Sequence, residues 1–149
     1  MVDSRAKGAR GETVIRDILR KYTKLQWERV PASGALDPKH GLKGDLYVPN
    51  ERNLYVVEVK NYEEDHLTSK ILSGKSPQLL EFWKQAVRQG KQVDKIPLLM
   101  FKFDRSKVFN AFEAMPTHSY PYVFINVQGY EFYVSLLEDW LEYEKPIFI

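Results

Sequence analysis

Apolar residues recur at helical spacing over residues 6–22, where Val14, Ile15, Ile18, Leu19 and Tyr22 form one stripe and predict an amphipathic helix. Residues 25–30 alternate apolar and polar side chains, as a half-buried strand does. Residues 45–48 and 54–60 are rich in β-branched and aromatic types and read as two further strands, joined by the polar, turn-rich Pro49-Asn50-Glu51-Arg52-Asn53. Ser76 is expected to cap a helix whose first turn holds Pro77 and which runs to about Gln89, with Gly90 as its stop. The nearly all-apolar run 96–103 predicts a strand buried on both faces. Residues 122–127 and 130–134 predict a hairpin closed by Gln128-Gly129, after which Ser135 is expected to cap a last helix over 136–143. Residues 61–75 and 104–121 carry no clear period.

This mixture of strands and helices in 149 residues predicts an α/β protein with a central sheet flanked by helices, forming one domain over residues 1–149. A chain of this length buries roughly 70% of its unfolded surface, so it needs no disulfide or metal staple. It contains no cysteine, which excludes thiolate zinc sites and a disulfide scaffold. No run approaches the length of a membrane span and the start lacks an apolar signal region, so no membrane partner and a cytoplasmic location are expected. The net charge of +2 hides an asymmetry: residues 1–110 carry 21 basic and 14 acidic side chains, residues 111–149 one basic and six acidic. A basic field over the first part suits a polyanionic substrate, although uneven solvated charge is the plain alternative.

The candidate chemistry lies in that basic part. On the strand over 54–60, Glu58 and Lys60 share one face while Val57 and Val59 share the other. Opposite charges on an otherwise apolar strand are costly unless they pair or perform a task. Adjacent strands would bring Asp45 close to Glu58 with Lys60 beside them, a set able to hold a hard divalent cation and position a water. Glu12 points toward the apolar stripe of the first helix, either as a dipole partner or as a group directed into a site. Lys7, Arg10, Arg16 and Arg20 on that helix are able to track a phosphate backbone. The loop 31–44 holds three Gly and two Pro before Asp45, and its Ser33, Lys39 and Lys43 are candidates for phosphate contacts. Lys84, Gln85 and Arg88 are candidates to face the site from the helix after Pro77, though such residues are more often the wet side of a helix. Asp37-Pro38-Lys39 also fits an acid-x-Lys triplet but has no apolar strand around it and is read as a decoy.

Glu12 on a first helix, Ser33-Gly34 in a loop, Gly44-Asp45, then Glu58-Val59-Lys60 form an ordered set that resembles the PD-(D/E)XK nuclease superfamily, and within it the archaeal Hjc-type Holliday junction resolvases. The likeness covers residues 7 to about 103, including Lys7-Gly8-Ala9 and Asp65-His66-Leu67, and fades from Asp104 onward. Gly44 stands where the family often has Pro or Val, an unremarkable difference. The resemblance implies a restriction-endonuclease-like mixed sheet flanked by helices and an endonuclease that nicks four-way DNA junctions in pairs. It implies Mg²⁺, with Mn²⁺ as a substitute, on Asp45, Glu58 and the Val59 carbonyl, with Glu12 helping to place a second ion or a water. Lys60 would orient or deprotonate the water, Ser33 would bond the phosphate, and the chain would act as a homodimer. Exposed members of the set Trp27, Phe82, Trp83, Phe109 and Phe112 would supply the dimer face, although core packing is the commoner role for each. Two alternatives stand beside this: another nuclease of the fold acting on linear or branched duplex, and a DNA-binding protein that keeps the fold without chemistry.

Overall fold

The computed structural model describes residues 4–31, 43–62, 67–74 and 77–149, with side chains from residue 11 onward. The chain runs α1 (Ser4–Thr23), β1 (Glu28–Arg29), β2 (Leu46–Tyr47), β3 (Tyr55–Tyr62), α2 (Lys70–Ser73), α3 (Gln78–Val93), β4 (Ile96–Phe103), β5 (Phe109–Phe112), β6 (Tyr122–Val127), β7 (Tyr130–Leu136) and α4 (Leu137–Glu144). Among the described residues the strands form one seven-stranded sheet in the order β1-β2-β3-β4-β5-β7-β6. β3 and β4 pair in parallel, as α3 between them requires, and the other neighbours are antiparallel. This is the mixed sheet with flanking helices that the motif order implied.

Each face of the sheet has its own core. Ile15 and Leu19 of α1 and Leu137, Trp140 and Leu141 of α4 pack on one face against Val57, Val59, Leu98 and Met100. Leu79, Leu80, Phe82, Trp83 and Ala86 of α3 pack on the other against Leu99, Phe101, Ala111 and Phe132. The alternation of Val57 and Val59 with Glu58 and Lys60 therefore holds: the valines face α1 and the charged pair faces α3. Trp27, Phe82, Trp83 and Phe112 are buried and Phe109 packs against the same cores, so these aromatics are core residues and not a dimer face.

Several boundaries differ from expectation, each for a local reason. α3 runs through Gly90 to Val93, and Asp94 in the left-handed region ends it with its N–H on the Gly90 carbonyl. Ser135 belongs to β7, its hydroxyl bonds the Leu136 carbonyl, and α4 starts without a side-chain cap. β1 is only two residues long; Arg20 of α1 reaches it, bonding the Trp27 carbonyl at 2.9 Å and Glu28 at 2.8 Å, so this arginine serves packing. The unassigned stretch after Asp104 contains β5, whose four residues are too few to show a period. Gln128 and Gly129 both have positive φ (53° and 81°), the backbone a two-residue hairpin turn requires.

Glu144 fastens the chain segment before β6 to α4. Its carboxylate accepts the Thr117 hydroxyl (2.5 Å), the Thr117 N–H (2.7 Å), the Tyr120 hydroxyl (3.0 Å) and the His118 N–H (3.3 Å). Burial favours its neutral form, but these donors outweigh it and hold the pKa down to about 2. A carboxyl with a depressed folded pKa stabilises the fold above its unfolded value and loses that contribution as pH falls toward the folded one. Glu144→Gln should therefore cost about 1–3 kcal/mol at neutral pH. Urea unfolding should show the gap to wild type narrowing between the ordinary carboxyl pKa of 4.5 and about 2.

Candidate active site

The site begins with how β2 is laid on β3. Leu46 stands opposite Val57, and the main chain of Asp45 just before it is fixed twice: its N–H bonds the Val57 carbonyl at 2.7 Å and its carbonyl accepts the Val30 N–H at 2.9 Å. Its side chain is fixed as well, Oδ2 accepting the Val59 N–H at 2.7 Å. Gly44 makes this approach possible. Its φ is +84° and a Cβ there would lie 2.7 Å from the Val57 carbonyl oxygen, so no other residue fits without displacement. The glycine that looked neutral in the sequence is thus a requirement of the site. On the far side of β2, Asn53 closes the connection to β3 by accepting the Val48 N–H at 2.7 Å and donating to the Val48 and Glu51 carbonyls.

Clasping Asp45 to β3 forces it against Glu58. The two carboxyl groups share a hydrogen bond, and Glu58 is only 4% exposed. Both pKa values lie above the usual carboxylate range, first because burial penalises the charged forms; for Glu58 the Asp45 charge adds to this. Lys60 partly offsets the pair, and its ammonium rests 5.3 Å from the centre of the Phe82 ring of α3, a cation–π contact. Gln89, two turns further along α3, hydrogen-bonds Glu58 in its charged form. Two neighbouring carboxylates with more negative charge than their surroundings neutralise, all oxygen donors and no thiolate, fit a hard divalent cation. Among the described residues no group of three or more His, Cys, Asp or Glu side chains is spaced as a metal cage.

Glu12 is the third carboxylate of the motif set. It is held by Arg29 of β1 at 2.5 Å, yet its pKa is raised, first by burial and then by the Asp45 charge. Arg29 also acts on Asp45, so it is a site residue that the sequence reading missed; nothing in a short alternating run marks it. Gln89 was missed for a similar reason, because the helix was expected to end there. Lys84 faces elsewhere: it contacts Glu81 and Gln128, and lies 5.5 Å from the Tyr130 ring centre. Arg88 is on the exposed side of α3. Lys43 lies just before the Gly44-Asp45 turn and is half-buried. Lys7 and Arg10 sit on the first half of α1. Ser33, Lys39, the decoy triplet and Asp65-His66 lie outside the described residues.

A mixed sheet with an Asp at the start of one strand and Glu-x-Lys on its neighbour is the arrangement of PD-(D/E)XK nucleases, a class that generally works with divalent metals. Residues 3–148 match the family described as "Phage putative PDDEXK endonuclease", and the chain belongs to it. It is 39% identical over 150 residues to Protein D14 of Escherichia phage T5, covering 95% of this chain and 94% of that protein. A solved structure of Archaeoglobus fulgidus Hjc, a Holliday junction resolvase from an archaeal hyperthermophile, is similar at 20% identity and a TM-score of 0.44, over 69% of this chain and 74% of that one.

The Gly44 contact yields a direct check. Gly44→Ala should destabilise the fold by about 1–3 kcal/mol, since the left-handed backbone and the Val57 contact are both violated. Urea denaturation reads this loss, and wild-type stability in the variant would contradict the close approach described above.

Proposed function

We propose that this nuclease is an Mg²⁺-dependent endodeoxyribonuclease that acts as a homodimer and cuts branched DNA, with the four-way junction as its preferred substrate. The observation that carries the catalytic part is the buried Asp45–Glu58 pair with Lys60 beside it. Asp45, Glu58 and the Val59 carbonyl are the groups that would hold the ion, with Glu12 near enough to Asp45 to help place a second ion or a water. When bound, the ion supplies charge stabilisation at the scissile phosphate and lowers the pKa of a coordinated water. Lys60, pinned over Phe82, orients the attacking water and offsets charge building on the phosphate. Arg29 and Gln89 favour the charged forms of Glu12 and Glu58 respectively, working against the burial that raises both pKa values. Ser33 is assigned to the phosphate, and Lys7, Arg10, Lys39 and Lys43 to backbone contacts along the DNA.

The preference for branched DNA is supported by the distribution of charge along the sequence. The basic excess lies in residues 1–110, which include α1 and the approach to Asp45. Phosphate contacts fix where backbones run in space and carry no base sequence, so such a surface selects for shape. A two-fold dimer presents two such sites related by symmetry, matching the pairing of strands across a junction.

Two measurements check this reading. Lys60→Ala should lose cleavage by about 10²-fold or more while still shifting a junction in a gel, because it removes transition-state stabilisation and one contact among many. Cleavage at the wild-type rate would remove Lys60 from the chemistry. With labelled substrates of one sequence, a four-way junction should be bound and nicked in preference to linear duplex. Equal cutting of both would leave a general nuclease of this fold.

A further inference from the structure

Among the described residues the sheet ends at β6, whose six residues, Tyr-Val-Phe-Ile-Asn-Val, carry no charge and no proline. Tyr122, Val123 and Phe124 are 41%, 47% and 49% exposed. An uncharged apolar edge strand is a template for pairing with another strand, and proteins usually blunt such edges with lysine, proline or a bulge. None of these devices is present within β6.

The pairing on its inner side fixes which groups are free. A two-residue turn makes Val127–Tyr130 the closing hydrogen-bonded pair, so the N–H and C=O groups of Val123, Ile125 and Val127 point to β7. Those of Tyr122, Phe124 and Asn126 point outward from the edge. We propose that β6 is the dimer interface, pairing antiparallel with β6 of a second copy so that Phe124 lies opposite the second copy's Phe124. This rests on the homodimer reading above and specifies where that dimer forms.

The register follows from the free groups. A two-fold axis normal to the sheet sets Phe124 against its own copy and Tyr122 against Asn126, which satisfies the three outward-facing residues of each strand with about six main-chain hydrogen bonds. On one face this gathers Phe124 and Tyr122, whose rings already lean on Tyr133 at 5.0 and 5.6 Å, into one aromatic patch across the axis. On the other face Val123 meets Ile125. Nucleic acid does not suit this edge, because residues 111–149 carry six acidic side chains against one basic. The edge also lies four strand positions from β3, so pairing there leaves Asp45, Glu58 and Lys60 of both copies uncovered.

The test uses sedimentation together with site-specific cross-linking. The chain contains no cysteine, so Phe124→Cys introduces a unique thiol, and so does Ile147→Cys, an exposed control beside the Phe148 that packs on Trp27. Wild type should sediment as a dimer at micromolar concentration, and a short linker with two thiol-reactive ends should join Phe124→Cys into covalent dimers but give no covalent dimer with Ile147→Cys. Phe124→Lys, which sets two like charges face to face, should convert the dimer to a monomer with unchanged circular dichroism. A dimer that withstands Phe124→Lys and gives no Phe124→Cys cross-link would overturn this interface while leaving the homodimer reading intact. Wild type that stays monomeric would overturn both. If Phe124→Lys fails to fold, the cross-linking comparison alone decides.

Discussion

The hydrogen bond from the Val59 N–H to the Asp45 carboxylate is the contact on which the candidate site depends. It works with the Asp45 N–H bond to Val57 to hold one strand start against the middle of the next. Because Val59 sits between Glu58 and Lys60, fixing Asp45 to its amide also fixes Asp45 beside both charged side chains. The cost is two carboxyl groups in a poorly solvated place, each pushed toward its neutral form. A fold optimised for stability alone would place apolar residues there. Keeping an underneutralised pair is how a protein prepares a seat for a cation.

The rest of the structure supports that arrangement from three sides. α3 supplies Phe82 under Lys60 and Gln89 beside Glu58, so one helix face orients both members of the Glu-x-Lys pair. β1 supplies Arg29, which holds the Glu12 carboxylate and lowers the penalty on Asp45. Gly44 lets the two backbones approach closely enough for any of this to form. The opposite edge of the sheet is uncharged and apolar, so the chemistry and the surface open to another strand occupy different ends of one sheet.

How much of this the sequence carried depended on the kind of signal. Strand alternation placed Glu58 and Lys60 together because period two is strict, and a short polar connection made Asp45 their neighbour. The long helices and the Gln128-Gly129 hairpin were legible from period and turn chemistry. Arg29 and Gln89 were not, because their roles come from strand order and helix length, which no local pattern encodes. Gly44 was misjudged because its need arises from the Val57 carbonyl, a contact with a residue 13 positions away in sequence. β5 was invisible since four residues, flanked by polar turns, leave no period to read.

The central claim is that Asp45 and Glu58 together form a divalent-cation site. Calorimetric or paramagnetic titration with Mn²⁺, free of DNA, tests it most directly. Wild type should bind the ion weakly and release protons as it binds, because both carboxyls start above their usual pKa. Asp45→Asn and Glu58→Gln should each abolish that binding while the protein stays folded. Mn²⁺ affinity in the double variant equal to that of wild type would contradict the account.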